Sequence, residues 1–262
     1  MKNKKFSIKK SDKLIILSFV IYLIVILAIF LPGYLNKKGT LYIVADDYQI
    51  KYKDGTWFSI IDPTEYSKKD FTVYENNNFK GNYMINYDAN VDKVILIDNY
   101  KRVKYIGTIF AYSGSLKFEY PNYKFSYEKD DTDDYIIKEA LSNEKIHNTG
   151  EYAISQKIEI DVDNDGVLDK IYSITGSFDS DDENQEYTIL LLHIDDKTYV
   201  IDKTLNTIEL DTFDIVNLID IRSDNKLELI YFESPVQTHA GGCLKLYDLT
   251  KKKEIHNFCD ED

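Results

Sequence analysis

The sequence contains few of the residues from which catalytic sites are most often built. Its 262 residues include only 4 histidines, 2 cysteines and 1 tryptophan, and the histidines lie far apart. No H-E-x-x-H zinc motif, G-x-S-x-G nucleophile elbow or phosphate-binding P-loop is present. These absences exclude the enzyme classes that carry those motifs, and we predict a protein without catalytic activity.

One histidine has an unusual sequence context, in QTHAGG, residues 237–242. Gly241 and Gly242 allow unusual backbone angles next to His239, which would suit either a binding site or a simple turn. We favour the turn, because a Cys–His nucleophilic pair needs a free thiol and a disulfide at Cys243 would remove it.

A surplus of basic residues is also missing. The chain has 32 Lys and Arg against 45 Asp and Glu, for a net charge of −13. The first 13 residues hold six lysines and one aspartate, so the rest of the chain carries a net charge of −18. Binding of nucleic acid requires a basic surface and is therefore excluded. An acidic surface attracts cations and suits a soluble body at a cell surface.

Charge is absent altogether from residues 14–31, LIILSFVIYLIVILAIFL. As a helix this segment would be about 27 Å long, close to the hydrocarbon thickness of a bilayer. It is longer than the core of a signal peptide, and no small-residue cleavage site follows, so we predict an uncleaved single-pass anchor. Six lysines precede the span and two follow it closely. This asymmetry predicts a cytoplasmic tail, residues 1–13, and an extracellular part, residues 34–262.

The extracellular part has the composition of a β protein. Proline is rare, with 4 residues, and tyrosine is abundant, with 22. Tyrosine and the many β-branched residues favour strands. Short strand patterns separated by turn residues such as KDG and NNN fill residues 40–128. We therefore predict a mainly β fold, with a first β-rich subdomain over residues 34–130 and Trp57 in its core.

Residues 131–149 differ in character and predict a short connecting helix followed by a linker. Thr132 or Asp133 could cap this helix, which would end near Ile146. Its apolar side would be formed by Tyr135, Ile136, Ile137, Ala140 and Leu141. We expect the acidic start of the helix to be solvated, because carboxylates are favourable at a helix N-terminus.

An internal repeat occupies the second predicted subdomain, residues 150–262. IEIDVDNDGVLDKIYSI and NLIDIRSDNKLELIYFE align with a constant offset of 59 residues. Each copy is entered and left through apolar strands and is followed by a hairpin pattern, which gives four strands per copy. Two copies are too few to close a propeller ring. We predict two propeller-blade-like repeats that pack face to face or form an incomplete propeller.

The first copy contains the acidic spacing D-x-D-x-D-G-x-x-D. Ca²⁺ prefers six to eight oxygen ligands, and alternate side chains on a tightly curled loop point to one centre. Gly166 permits the turn that lets the chain wrap around an ion. We predict a Ca²⁺ site formed by four carboxylates and one backbone carbonyl: Asp161, Asp163, Asp165, Asp169 and Val167. The alternative is a solvated acidic turn.

The motif is not an EF-hand, because its twelfth position is Tyr172 instead of glutamate and its flanks are strand patterns. It resembles the calcium loops of FG-GAP and VCBS-type repeats, in which the same spacing lies between two strands and apolar residues follow, here Leu168 and Ile171. The resemblance covers residues 155–262 and is specific only in the first copy. It implies calcium-stabilised β repeats, often found in extracellular adhesion or recognition proteins, and implies no single activity.

The second copy departs from this pattern. Arg222 stands at the position of a ligand, and Asn225 replaces the glycine. We predict no metal there. The guanidinium group could instead bridge Asp220, Asp224 or Glu228 and replace the ion electrostatically.

The two cysteines lie in CLKLYDLTKKKEIHNFC, which has a hairpin pattern. If the hairpin turns around Lys251, Cys243 and Cys259 fall directly opposite each other and within disulfide reach. A disulfide persists in an extracellular environment, so we predict one; two free buried thiols are the alternative.

Together these features predict a membrane-anchored, extracellular, calcium-binding recognition or scaffold module of a bacterial cell envelope. Its ligand would be a surface protein or glycan. Two alternatives stay open. One is an envelope enzyme whose site has no recognisable motif. The other is a membrane-proximal subunit of an envelope complex, in which residues 14–31 are themselves an interface.

Overall fold

A computed structural model of the chain describes residues 19, 21–22, 39–45, 48–60, 62–65, 69–88, 93–98, 101–103, 109–116, 120–146, 152–179, 184–206, 211–222, 224–235 and 242–259. The predicted cytoplasmic tail lies outside these residues, as does the predicted span except at positions 19, 21 and 22. Within the described ranges, no helix has the length and apolar character needed to cross a membrane.

Three antiparallel sheets account for most of the described residues, which confirms the mainly β fold. The first sheet has eight strands in the order β3-β2-β1-β8-β4-β5-β6-β7. Its strands are β1 (Thr40–Ala45), β2 (Tyr48–Lys53), β3 (Thr56–Ser59), β4 (Asp70–Glu75), β5 (Asn78–Asp88), β6 (Lys93–Asp98), β7 (Lys101–Val103) and β8 (Ile109–Gly114).

The two copies of the repeat form the other two sheets, each as a meander of four consecutive strands. The second sheet has the order β13-β12-β11-β10-β9 and the third has the order β14-β15-β16-β17. Their strands are β9 (Phe125–Ser126), β10 (Ala153–Ile160), β11 (Asp169–Asp179), β12 (Asn184–Ile194), β13 (Lys197–Asn206), β14 (Asp211–Ile219), β15 (Glu228–Pro235), β16 (Cys243–Asp248) and β17 (Lys253–Cys259).

The third sheet lies between the other two, and its strands β14, β15 and β16 are largely buried on both faces, whereas the edge strand β17 is mostly exposed. On β15, Ile230 packs in one core with Leu41 of the first sheet. Its neighbours Leu229 and Tyr231 pack in a second core with Leu190 of the second sheet. Alternate residues of a strand point to opposite faces, so a strand buried on both sides is apolar throughout. The two repeat copies thus pack face to face.

Trp57 lies in the core between the first and third sheets, as predicted. It is buried, and its ring contacts Tyr52 and the edge of Phe258 from β17. Because Trp57 and Phe258 come from opposite ends of the described chain, this core joins the N-terminal sheet directly to the second copy of the repeat.

The predicted connecting helix is α1 (Asp131–Asn143), and it packs on the outer face of the second sheet. The predicted cap at Thr132 or Asp133 is wrong. Asp130 is the N-cap, because its backbone is extended and its carboxylate accepts the N–H of Asp133 at 2.9 Å. The side chain of Tyr135 is 70% exposed and does not belong to the apolar face, which consists of Ile136, Ile137, Ala140 and Leu141.

Cys243 and Cys259 form the predicted disulfide and lie opposite each other, with their Cα atoms 4.1 Å apart. The hairpin turn lies between Asp248 and Lys253, so its centre precedes Lys251. A β-bulge in the β16–β17 ladder shifts the register and restores the opposition of the two cysteines.

Candidate metal centre

The first loop, residues 161–169, connects β10 to β11 and is curled around the carboxylate of Asp161. This carboxylate accepts hydrogen bonds from the backbone N–H groups of Asn164 at 2.7 Å, Asp165 at 3.1 Å and Gly166 at 2.8 Å. Gly166 has φ +89°, a conformation that favours glycine. The loop therefore has the compact shape that the sequence pattern predicted.

The loop brings three of the predicted ligands together. Carboxylate oxygens of Asp161, Asp163 and Asp169 all lie within 4.8 Å of one another. The Oδ1 atom of Asp163 is buried and has no hydrogen-bond partner among the described residues. A buried carboxylate oxygen without a partner is costly, and a bound cation would satisfy it.

The other two predicted ligands lie on the outer side of this cluster. Asp165 forms a second group with Asp163 and Asp195, again with oxygens within 4.8 Å of one another. The side chain of Val167 is exposed, and its backbone N–H donates to Asp165 Oδ1 at 2.7 Å. The coordination of an ion by the carbonyl of Val167 stays a prediction.

Asp195 is absent from the sequence-based ligand set. It lies in the turn between β12 and β13, and the pairing of Lys170 with His193 places this turn beside the start of β11. The spacing within one loop cannot show a residue from a neighbouring hairpin. The repeat itself nevertheless indicates this residue, because each copy has an aspartate in its hairpin: Asp195 in the first and Asp248 in the second.

The second loop, residues 220–228, repeats two of these backbone hydrogen bonds among its described residues. The carboxylate of Asp220 accepts the N–H of Asp224 at 3.1 Å and that of Asn225 at 2.8 Å. The equivalent distances from Asp161 in the first loop are 3.1 Å and 2.8 Å. The described parts of the two loops therefore share these backbone contacts, although their sequences differ at the central ligand position.

The guanidinium group of Arg222 occupies the centre of the second loop. Its Nη2 atom lies 2.8 Å from Glu228 Oε1 and 3.0 Å from Asp248 Oδ2, and its Nε atom lies 3.6 Å from Asp224 Oδ2. The predicted bridge is therefore formed with Asp224 and Glu228, and Asp248 is an additional partner. Asp224 and Glu228 are the counterparts of Asp165 and Asp169 in the first loop.

The two loops differ in electrostatic balance. Burial raises the pKa of Asp169 to about 6; the hydrogen bond from Val162 opposes this, and the charges of Asp163, Asp165 and Asp161 add to it. No basic side chain is placed in the first loop, in contrast to Arg222 in the second. The first loop thus holds negative charge that an ion could neutralise.

A second buried charged cluster lies beneath the start of α1. The side chain of Asp133 is 0% exposed and accepts hydrogen bonds from Lys157 at 2.8 Å, Lys170 at 2.7 Å and the hydroxyl of Tyr172 at 2.8 Å. Burial alone would raise the pKa of Asp133, but the hydrogen bonds from the two lysines outweigh it and lower the pKa. The prediction of a solvated helix start is therefore wrong for Asp133.

Of the QTHAGG segment, residues 237–242, the structure describes Gly242 alone. His239 and Gly241 lie outside the described residues, as does His147. Gly242 is buried, and its carbonyl accepts a hydrogen bond from the hydroxyl of Tyr48. The backbone just before Cys243 is therefore fixed to β2.

Comparison with protein-family models, with curated proteins and with solved structures gave no match. The resemblance to FG-GAP and VCBS-type repeats stays a prediction.

Proposed function

We propose that this chain is a membrane-anchored, extracellular, calcium-binding recognition or scaffold module of a bacterial cell envelope, without catalytic activity. One observation carries the proposal. In the second loop, Arg222 brings a positive charge among carboxylates. The equivalent residue of the first loop is Asp163, whose carboxylate is grouped with those of Asp161 and Asp169. A cation in the first loop would restore the same balance.

The donor set of the first loop fits Ca²⁺. All of its side-chain donors are carboxylate oxygens, which hard cations prefer, and an irregular loop suits the flexible geometry of Ca²⁺ better than the strict octahedron of Mg²⁺. The ligands would be the carboxylates of Asp161, Asp163, Asp165 and Asp169 with the carbonyl of Val167. The Oδ1 atom of Asp163 is buried without a hydrogen-bond partner among the described residues, and its carboxylate belongs to both acidic groups.

Asp195 extends the proposed site. Replacing Asp195 with asparagine should weaken Ca²⁺ binding about tenfold, because outer ligand-supporting groups typically contribute at least that much to metal affinity. Isothermal titration calorimetry of the full chain in detergent measures the change. Asp196→Asn, in the same turn, is the matched control and should leave the affinity nearly unchanged. An equal loss in both variants would mean that Asp195 acts only through its long-range charge.

Calcium affinity should fall in acid. The folded pKa of Asp169 is about 6, above its ordinary value of 3.8, so the metal-free fold binds this proton as the pH falls from 7 to 5. Protonation stabilises the metal-free fold and competes with the ion. At pH 5 the dissociation constant should be about tenfold larger than at pH 7.5, as expected for one competing proton. A pH-independent affinity would show that Asp169 is not a ligand.

The proposed membrane topology can be tested with introduced cysteines, since both native cysteines are in the disulfide. A membrane-impermeant thiol reagent should label Ser142→Cys, on the exposed side of α1, in intact cells. It should label Ser7→Cys, in the tail, only after lysis. Labelling of Ser7→Cys in intact cells would contradict the proposed orientation.

A recognition role is supported by an apolar pair at the tip of the first loop. Val167 is 62% exposed and Leu168 is 65% exposed, whereas Leu227, the counterpart of Leu168, is 6% exposed. Exposed apolar groups beside a partly open ion site suit contact with a surface ligand.

The recognition role can be tested by retention of the full chain on isolated envelope material in Ca²⁺. The double variant Val167→Ser/Leu168→Ser should lose retention, and Tyr135→Ser, an exposed aromatic on α1, is the control. Equal retention of all three proteins would contradict a recognition surface at the first loop.

A further inference from the structure

Val162 connects the first loop to the second copy of the repeat. Its N–H donates to Asp169 Oδ2 at 2.9 Å, and its carbonyl accepts the N–H of Leu227 at 3.0 Å. One residue is therefore bonded to a proposed metal ligand on one side and to the second loop on the other. Val162 is fully buried, so neither hydrogen bond is exposed to competition from water.

The same chain of backbone contacts continues into the hairpin of the second copy. The carbonyl of Leu227 accepts the N–H of Leu249 at 3.4 Å, in the turn between β16 and β17. Val162, Leu227 and Leu249 all belong to the hydrophobic core shared by the second and third sheets. We call these three residues, Val162, Leu227 and Leu249, the loop end of the interface between the two repeat copies.

We propose that occupancy of the first loop by Ca²⁺ controls closure of the loop end, and so transmits the presence of the ion from the first copy to the second. The inference rests on the proposed calcium site. The ion fixes the carboxylate of Asp169, this carboxylate holds Val162, and Val162 holds Leu227 and through it Leu249. Without the ion, repulsion among the aspartates loosens Asp169 and the chain of contacts behind it.

Only the first loop depends on an ion in this scheme. Arg222 pairs with Glu228 and Asp248 through contacts that involve no proposed metal ligand. Lys245 of β16 also joins the sheets through Asp202 of β13, at 2.7 Å, without any metal ligand. The sheets therefore stay docked without calcium, and the ion affects the loop end alone.

Hydrogen exchange measured by mass spectrometry tests this coupling on the full chain in detergent, in EDTA and in Ca²⁺. An ion that binds only the closed first loop lowers the population of its locally opened state by mass action. At a calcium concentration 100 times the dissociation constant, exchange through that opened state should slow by up to about 100-fold. We expect slower exchange in the first loop and, equally, at the amides of Leu227 and Leu249. Slowing confined to residues 161–169 would overturn the coupling while leaving the calcium site intact. No slowing in residues 161–169 would overturn the calcium site and with it the coupling.

A matched pair of variants shows whether the effect passes through the first loop. Asp165→Asn and Asp224→Asn make the same change at equivalent positions of the two loops. Asp165→Asn should reduce the calcium effect at Leu227 at least tenfold, whereas Asp224→Asn should retain it. Full calcium-dependent slowing at Leu227 in Asp165→Asn would overturn the proposal. Asp163→Asn provides a second first-loop variant with the same expectation.

Discussion

Asp133→Asn should lower the free energy of unfolding by about 3–5 kcal/mol, the usual cost of removing one partner from a buried ion pair. Asp133 is fully buried and accepts hydrogen bonds from Lys157 and Lys170 through its two oxygens. An amide preserves the shape of the carboxylate but cannot neutralise either ammonium group. The variant would therefore leave two lysines with reduced charge compensation beneath α1.

Urea unfolding monitored by circular dichroism measures the change, with Asp131→Asn as the control. Asp131 lies in the same turn of α1 and is exposed, so its substitution should change stability by less than about 0.5 kcal/mol. Similar losses in the two variants would show that the buried cluster contributes little. Because the pKa of Asp133 is lowered in the fold, its contribution should persist at neutral pH and disappear in acid, below the ordinary value of 3.8.

Calcium should stabilise the full chain by about 2.7 kcal/mol at 1 mM, for a site with a dissociation constant near 10 µM. Asp163→Asn should abolish this gain, since Asp163 belongs to both groups of carboxylates in the first loop. In EDTA the same variant should be at least as stable as the wild type, because one charge fewer relieves the repulsion that adds to the effect of burial on the pKa of Asp169. The stability order of the two proteins should thus reverse when calcium is added.

Thermal melts in detergent, with EDTA and then with Ca²⁺, test this reversal. Asp224→Asn removes one carboxylate from the second loop and should retain the full calcium response. A calcium-dependent rise of equal size in Asp163→Asn would mean that the ion binds elsewhere on the acidic surface.

The sequence predicted the features that depend on local pattern. The opposition of Cys243 and Cys259 follows from hairpin spacing, and the alignment of Asp161 with Asp220 follows from a repeat that preserves backbone hydrogen bonds. The ion pairs of Arg222 with Asp224 and Glu228 were also predictable, because the flanking strands fix the position of Arg222 in the repeat.

Features that depend on tertiary packing could not be predicted from local sequence pattern. Asp133 is buried only because Lys157 and Lys170 on neighbouring strands meet it beneath the helix. Several acidic residues near the start of α1 could act as its N-cap. Asp130 is identified as the N-cap only by its extended backbone in the structure. The sequence does contain one signal of tertiary packing: the continuous apolar run LIYF in β15 is typical of a strand buried on both faces.

A calcium titration of the full chain by isothermal titration calorimetry, beside Asp163→Asn and Asp224→Asn, tests the central claim most directly. We predict one ion per chain in the wild type and in Asp224→Asn, and none in Asp163→Asn. Absence of binding in the wild type, or unchanged binding in Asp163→Asn, would contradict a calcium site in the first loop.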